Sequence, residues 1–248
     1  MRLSVIIPVL NERAHLSTML AALAQLEVHE VIVVDGGSTD GSREYLRQQK
    51  HVRVIDAEAG RGNQMNAGAR SATGNVLLFL HCDCVLPPDG PELIEQALAN
   101  DKVVAGCFLV RFLEQVRSLR IIAWGINRRT LLTRTATGDQ AIFMRRSVYE
   151  AIGGFAPWPL FEDVELVTRI KREGRFVVLP TPVIISARRW MTYGVWRTTL
   201  RMYALRAGYY AGISPFKLKR WFEDIRTPEK ADDVAQDSLA NYITLPRS

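Results

Sequence analysis

Five short stretches of this 248-residue chain place reactive side chains close together: Asp35 ahead of Gly36-Gly37-Ser38, His81-Cys82-Asp83, Asp139 after Gly138, Glu162-Asp163, and Arg188-Arg189-Trp190. His81 and Asp83 are two apart, so at a strand end both would share one face, with Cys82 opposite. A carboxylate there suits a divalent cation that bridges phosphate oxygens and steadies a departing diphosphate. The competing account is a buried histidine and a turn-forming aspartate ahead of Pro87-Pro88. A zinc site from Cys82, His81 and Asp83 lacks a second ligand cluster at the usual spacing. Glu162-Asp163 opens a helix, where acids complement the dipole; a carboxylate held there could also take a proton from a hydroxyl. Asp139 reads as a turn residue or a site acid. Arg188 or Arg189 could meet a diphosphate while Trp190 stacks on a ring, or the three form a solvated basic face.

The elements that must position these residues alternate in the first half of the chain. Residues 3–9, 30–35, 52–56 and 75–81 read as strands, apolar on both faces. Helices fall between them: one capped by Asn11 with apolar Leu16, Met19, Leu20 and Leu23, one from residue 42 toward Gln49, and one over 61–71. Such alternation predicts an α/β fold with a mostly parallel sheet covered on both sides. Ligands of such sheets bind beyond the carboxyl ends of the strands. The polar stretches 8–12, 35–40, 56–61 and 81–83 all lie at those ends. Pro8-Val9-Leu10-Asn11-Glu12 has no glycine, which excludes the dinucleotide fingerprint, and no P-loop is present. In the second half, 103–112, 140–144 and 176–179 read as strands, the last stopping before Pro180. Residues 119–132, 161–173 and 195–210 read as helices.

Composition sets the outer bounds. The chain is 48% hydrophobic and 23% charged, as ordinary globular domains are. Three cysteines make no disulfide framework, and no apolar stretch approaches a membrane span, so a cytoplasmic protein is expected. The net charge of +6 is concentrated: residues 188–230 carry +7. Aromatic residues interleave with that charge, including Trp196, Tyr203, Tyr209, Tyr210, Phe216 and Trp221. The pattern suits peripheral contact with anionic lipid, core packing or a homodimer interface; no nucleic acid partner is expected.

Taken in order, residues 4–12, 30–42, 79–83 and 161–163 resemble the family 2 glycosyltransferases of the GT-A fold, over about residues 2–190. Residues 60–69 and 138–143 are similar to a bacterial subgroup, the radical-SAM/selenodomain-associated transferases. The resemblance implies a nucleotide-sugar donor, UDP-linked by expectation, and Mg²⁺ or Mn²⁺. It places Pro8, Leu10, Glu12 and Asp35 around the nucleoside, with Gly37 and Ser38 on the same edge and Arg61 and Gln64 approaching the nucleotide. Asp83 becomes the metal ligand, with His81 as partner. Asp163, beside Glu162, becomes the base that activates an acceptor hydroxyl with inversion. Asp139, Arg189 and Trp190 fall to the acceptor or diphosphate. The sequence departs from the pattern in carrying His81 where a first aspartate is usual, and no histidine follows it. The expected organisation is a catalytic domain over 1–190, with a nucleotide-binding half (1–100) and an acceptor half (101–190), and a basic, aromatic helical segment over 191–248. A lipid-linked acceptor would fit that segment. The alternatives are a nucleotidyltransferase, which would usually need a glycine-rich basic N-terminal loop, and a non-catalytic nucleotide-sugar-binding protein recruited to membranes.

Overall fold

The computed structural model describes residues 1–221. The part of the expected basic, aromatic helical segment (191–248) beyond residue 221 lies outside the described residues. Eight strands form one sheet: β1 (Leu3–Val9), β2 (Glu30–Asp35), β3 (Arg53–Asp56), β4 (Val76–Phe79), β5 (Cys84–Val85), β6 (Val103–Phe112), β7 (Ile142–Arg145) and β8 (Arg175–Ile185). Their order is β3-β2-β1-β4-β7-β6-β8-β5. The first four strands in that order are mutually parallel. β7 runs antiparallel to both β4 and β6, β8 pairs parallel with β6, and β5 pairs antiparallel with β8. The sheet is therefore mixed in its second half, within the expected α/β class.

Alternation along β1 shows why both faces had to be apolar. Leu3, Val5, Ile7 and Val9 enter one core with Leu16, Met19 and Leu20 of α1 (Arg13–Leu23). Ile6 enters the other, with Met65 and Ala69 of α3 (Arg61–Ser71). Helix α3 lies directly on β1 and β2: a Cβ on Gly68 would strike the side chains of Ile6 and Val34, so only glycine permits that approach. The connection from β2 carries α2 (Ser42–Arg47), and α4 (Gly90–Leu98) precedes β6.

The later helices are α5 (Arg117–Thr133), α6 (Arg146–Ala151), α7 (Glu162–Glu173), α8 (Arg188–Tyr193), α9 (Val195–Tyr210) and α10 (Pro215–Lys219). α9 and α10 pack on α7 through Phe161, Val164, Leu205 and Leu218. Strand β8 does not stop at Pro180. It runs on to Ile185 with a register irregularity opposite Phe108 and Leu109. β5 reaches only Ile184 and Ile185, so the far side of β8 around Pro180 and Pro182 is an edge where no N–H is needed.

Candidate active site

Four loops build one cavity of about 230 Å³ at the carboxyl ends of β1 and β4. From the end of β1 and the loop after it come Pro8, Leu10 and Glu12, together with Arg61 and Gln64 of α3. The β4–β5 turn adds His81, Cys82 and Asp83. Opposite them stand Asp139, Glu162 and Asp163, with Arg189 and Trp190 of α8 closing one side. Asp35, Gly37 and Ser38 do not line this cavity. The Asp35 carboxylate is wholly buried and accepts N–H groups from Gly37 at 3.0 Å and Ser38 at 3.1 Å. Ser38 Oγ in turn accepts the Asn11 N–H at 2.9 Å. These bonds hold the β2 loop to the β1 loop. Asn11 does not cap α1 either: it sits at φ 55°, and its side chain receives the Thr39 N–H.

Gln64 performs a related task from inside. Its buried amide donates to the carbonyls of Val9 at 2.7 Å and Val34 at 2.9 Å, tying α3 to the ends of β1 and β2. Glu12 is engaged by a cation. Arg188 donates to both Glu12 oxygens at 3.2 Å and sits 2.9 Å from His15 Nε2. Burial raises the Glu12 carboxyl more than Arg188 lowers it.

His81 and Asp83 are not on a strand, because β4 ends at Phe79. They occupy a turn closed by the Cys84 N–H on the His81 carbonyl, and that turn brings both to the cavity. Cys82 joins the apolar core as expected, yet also borders the cavity. Burial, followed by the charge of Arg61, pulls His81 down to about 4, so its imidazole is neutral at pH 7. Burial raises the Asp83 carboxyl, but His81, Arg188 and Arg61 outweigh it and hold Asp83 below its ordinary value. The imidazole lies against Gly138, where a Cβ would collide with Nε2.

Gly138 begins a single 3-10 turn, Gly138–Gln140, fixed by reciprocal bonds between Thr137 and Gln140. That turn directs the Gly138 N–H to Asp163 Oδ2 at 2.7 Å. The Val164 N–H takes Asp163 Oδ1 at 2.7 Å, leaving each oxygen a further lone pair. Burial nevertheless raises Asp163, and it pushes the adjacent Glu162 up to about 7 with help from the Asp163 charge. Phe161, just before this pair, is buried at φ 63°. A bulky residue in the left-handed region is strained, and such strain gathers where geometry is imposed by function.

Sequence reasoning missed Arg188 as the partner of Glu12, and it missed a second wall. Ile122, Ile126 and Arg129 of α5 and Thr199, Met202, Tyr203 and Arg206 of α9 also line the cavity. No short motif marks them; only the helix-helix packing does. Six buried side-chain atoms among the described residues lack a hydrogen-bond partner, and four belong to cavity residues: Arg129 Nε, Asp139 Oδ1, Trp190 Nε1 and Arg206 Nη1. Buried polar atoms are nearly always paired, so this cavity is shaped for a polar ligand. Trp190 itself is braced edge-on against Phe112, ring centroids 4.9 Å apart.

The sheet order and this strand-end cavity define a GT-A-type glycosyltransferase fold. A mannosyltransferase of Pyrobaculum calidifontis in complex with GDP-Man and Mn²⁺ superposes with a TM-score of 0.62 at 20% identity, covering 98% of this chain and 69% of that one. S. aureus TarS gives 0.61 at 19% identity, over 75% and 60%. The family model for glycosyl transferase family 2 matches residues 4–153, and the chain belongs to that family. Its relatives include an undecaprenyl-phosphate 4-deoxy-4-formamido-L-arabinose transferase of Aeromonas hydrophila, 36% identical over 114 residues, 41% of this chain and 35% of that protein. A validoxylamine A glucosyltransferase of Streptomyces hygroscopicus is 36% identical over 121 residues, 42% of this chain and 28% of that protein. The matches thus span about a third of these curated relatives.

Proposed function

We propose that this transferase moves a glycosyl group, with inversion, from a nucleotide-diphosphate sugar to an acceptor hydroxyl. The observation that carries the reading is one cavity holding an ionised Asp83 on the strand-end side and a hydrogen-bonded Asp163, with its neighbour Glu162, at a helix start. Structures of S. aureus TarS include a complex with UDP-GlcNAc, which supports a UDP-sugar as the donor. Residues 60–69 and 138–143 support placement in the radical-SAM/selenodomain-associated subgroup.

The donor would lie over Pro8 and Leu10, its diphosphate toward Arg61 in the first turn of α3, where helix N–H groups and the guanidinium both favour negative charge. The ligands on hand for Mg²⁺ or Mn²⁺ are the Asp83 carboxylate and the neutral His81 imidazole. Among the described residues no group of three His, Cys, Asp or Glu could hold a metal ion by itself. The residues therefore fit a cation completed by donor phosphate oxygens. Asp83 is its principal ligand, since His81 Nε2 lies against Gly138. When bound, such a cation neutralises the leaving diphosphate. Asp163 takes the hydroxyl proton as the acceptor oxygen bonds to the anomeric carbon. The bond from that carbon to the diphosphate breaks, its electron pair leaving with the phosphate oxygen.

Asp163→Asn tests this reading. Thermal shift by UDP-sugars with Mn²⁺ should persist. UDP release from a UDP-sugar, with water as acceptor, should fall roughly 10²–10⁴-fold. Unchanged UDP release would remove Asp163 from the base role. Pyrophosphate release from a nucleoside triphosphate by the wild type would favour a nucleotidyltransferase instead.

A further inference from the structure

The cavity wall formed by α5 and α9 lies outside the residues proposed to hold the donor, and it carries two guanidiniums with unmet hydrogen-bonding capacity. Arg129 Nε and Arg206 Nη1 are buried and have no partner. Arg129 Nη2 is only loosely engaged, 3.4 Å from both Thr130 Oγ1 and Gln140 Oε1. The helices meet closely near Gly125, where a Cβ would lie 3.6 Å from the Tyr203 hydroxyl. Arg129 follows Gly125 by one turn of α5, and Arg206 follows Tyr203 by nearly one turn of α9. Both side chains reach the same cavity.

Two like charges held in a partly dry cavity with unfilled donors form a receptor for an oxyanion. Burial, then the charge of Arg206, lowers the pKa of Arg129; Asp139 and Asp163 pull the other way without outweighing them, and an arriving anion would pull in the same direction as those carboxylates. Arg206 also lowers Asp163, so the anion would sit near the proposed base. The rest of this wall is apolar, with Ile122 and Ile126 from α5 and Met202 from α9. Outside it, Trp124, Leu132, Trp196 and Leu200 are each more than 60% exposed. Neither residues 117–133 nor 188–221 contain a single Asp or Glu, while both contain several Arg or Lys.

The geometry points to an acceptor subsite between α5 and α9 for a phosphate-type oxyanion joined to an apolar body, with Arg129 and Arg206 gripping the phosphate and Ile122, Ile126 and Met202 lining the apolar part. The inference rests on the transferase reading and names the acceptor class for it; the pair binds and orients, and the acceptor carries, besides its phosphate, a separate hydroxyl that gives its proton to Asp163. A hydroxylated lipid phosphate and a free hydroxylated phosphometabolite share this head group.

Calorimetry with dodecyl phosphate below its micellar concentration, sn-glycerol 3-phosphate and the neutral dodecyl glucoside tests the subsite, with UDP plus Mn²⁺ as a parallel arm. The wild type should bind at least one phosphate probe more tightly than dodecyl glucoside. Arg129→Ala and Arg206→Ala should each weaken that probe about tenfold or more, Arg→Lys less, with UDP affinity unchanged. Preference for dodecyl phosphate assigns a lipid source, and preference for glycerol phosphate a soluble one. Equal binding of dodecyl phosphate and dodecyl glucoside without glycerol phosphate binding, or full affinity in both alanine variants, overturns the subsite. Loss of probe binding in those variants, in a protein that fails to bind UDP, keeps the anion subsite and refutes the transferase reading.

Discussion

Glu162→Gln should change the pH dependence of stability in a way set by the site's own geometry. Burial, then the Asp163 charge, pushes the Glu162 carboxyl from 4.5 up to about 7, while Arg61 and Lys219 pull the other way. Between those values the native chain keeps a proton that the unfolded chain has released, so native stability falls as pH rises. The contribution is fully present below the unfolded value and is lost as pH passes through the folded one. At about 1.4 kcal/mol per pH unit, the loss between about pH 5 and about pH 8 is roughly 2–3 kcal/mol. Glutamine mimics the protonated carboxyl and does not titrate. Urea unfolding followed by tryptophan fluorescence, at intervals across that range, gives the difference between the two proteins, in which groups that do not interact with Glu162 cancel and the acidic pair Glu162-Asp163 remains. The difference should move by roughly 2–3 kcal/mol in favour of the variant as pH rises. Profiles that stay parallel within about 0.5 kcal/mol would show that Glu162 is not held protonated, and the description of the acidic pair would fail.

Gln64→Leu leaves the Val9 and Val34 carbonyls without their buried donor, and should lower stability by about 2–4 kcal/mol in denaturant titrations. Gly138→Ala drives a methyl into the His81 ring. It should cost about 1–3 kcal/mol of stability and weaken UDP binding in the presence of Mn²⁺; calorimetry with neither effect would contradict the close packing of that turn.

The strand-end half of the site was legible because its signals are local. β1, β2, α3 and β6 match their expected bounds; β2, for one, is apolar from residue 31 to residue 34 and bounded by Glu30 and Asp35. β8 was cut short because proline was read as a terminator, although an edge position removes the need for its N–H. The turn at His81 was misread as strand because a polar run after an apolar one does not show where pairing stops. Asp35 is instructive: its strand end was located correctly, yet which way its carboxylate turns depends on the loop N–H groups of Gly37 and Ser38. Arg129 and Arg206 carry no motif. They become site residues only because α5 and α9 meet, a contact between segments far apart in the chain.

That division bears on specificity. The proposed donor edge uses strand ends and α3, all before residue 84, well inside the matched family range of residues 4–153. Trp190, Met202, Tyr203 and Arg206, by contrast, come from α8 and α9, beyond that range. Three of the four left-handed non-glycine residues among the described residues lie in the loops between these parts: Asn11 after β1, Ala141 after the 3-10 turn and Phe161 before α7. Each costs on the order of 1 kcal/mol or more and persists only where neighbouring packing enforces it. Here the enforced loops fix Asp163 relative to Asp83, and the helices that complete the cavity brace them: Thr130 of α5 bonds to Gln140 of the 3-10 turn, and Leu205 of α9 packs with Phe161 and Val164. Substrate choice on the acceptor side is thus expected to follow α5 and α9, and exchange of those helices among relatives should alter the acceptor while the donor is kept.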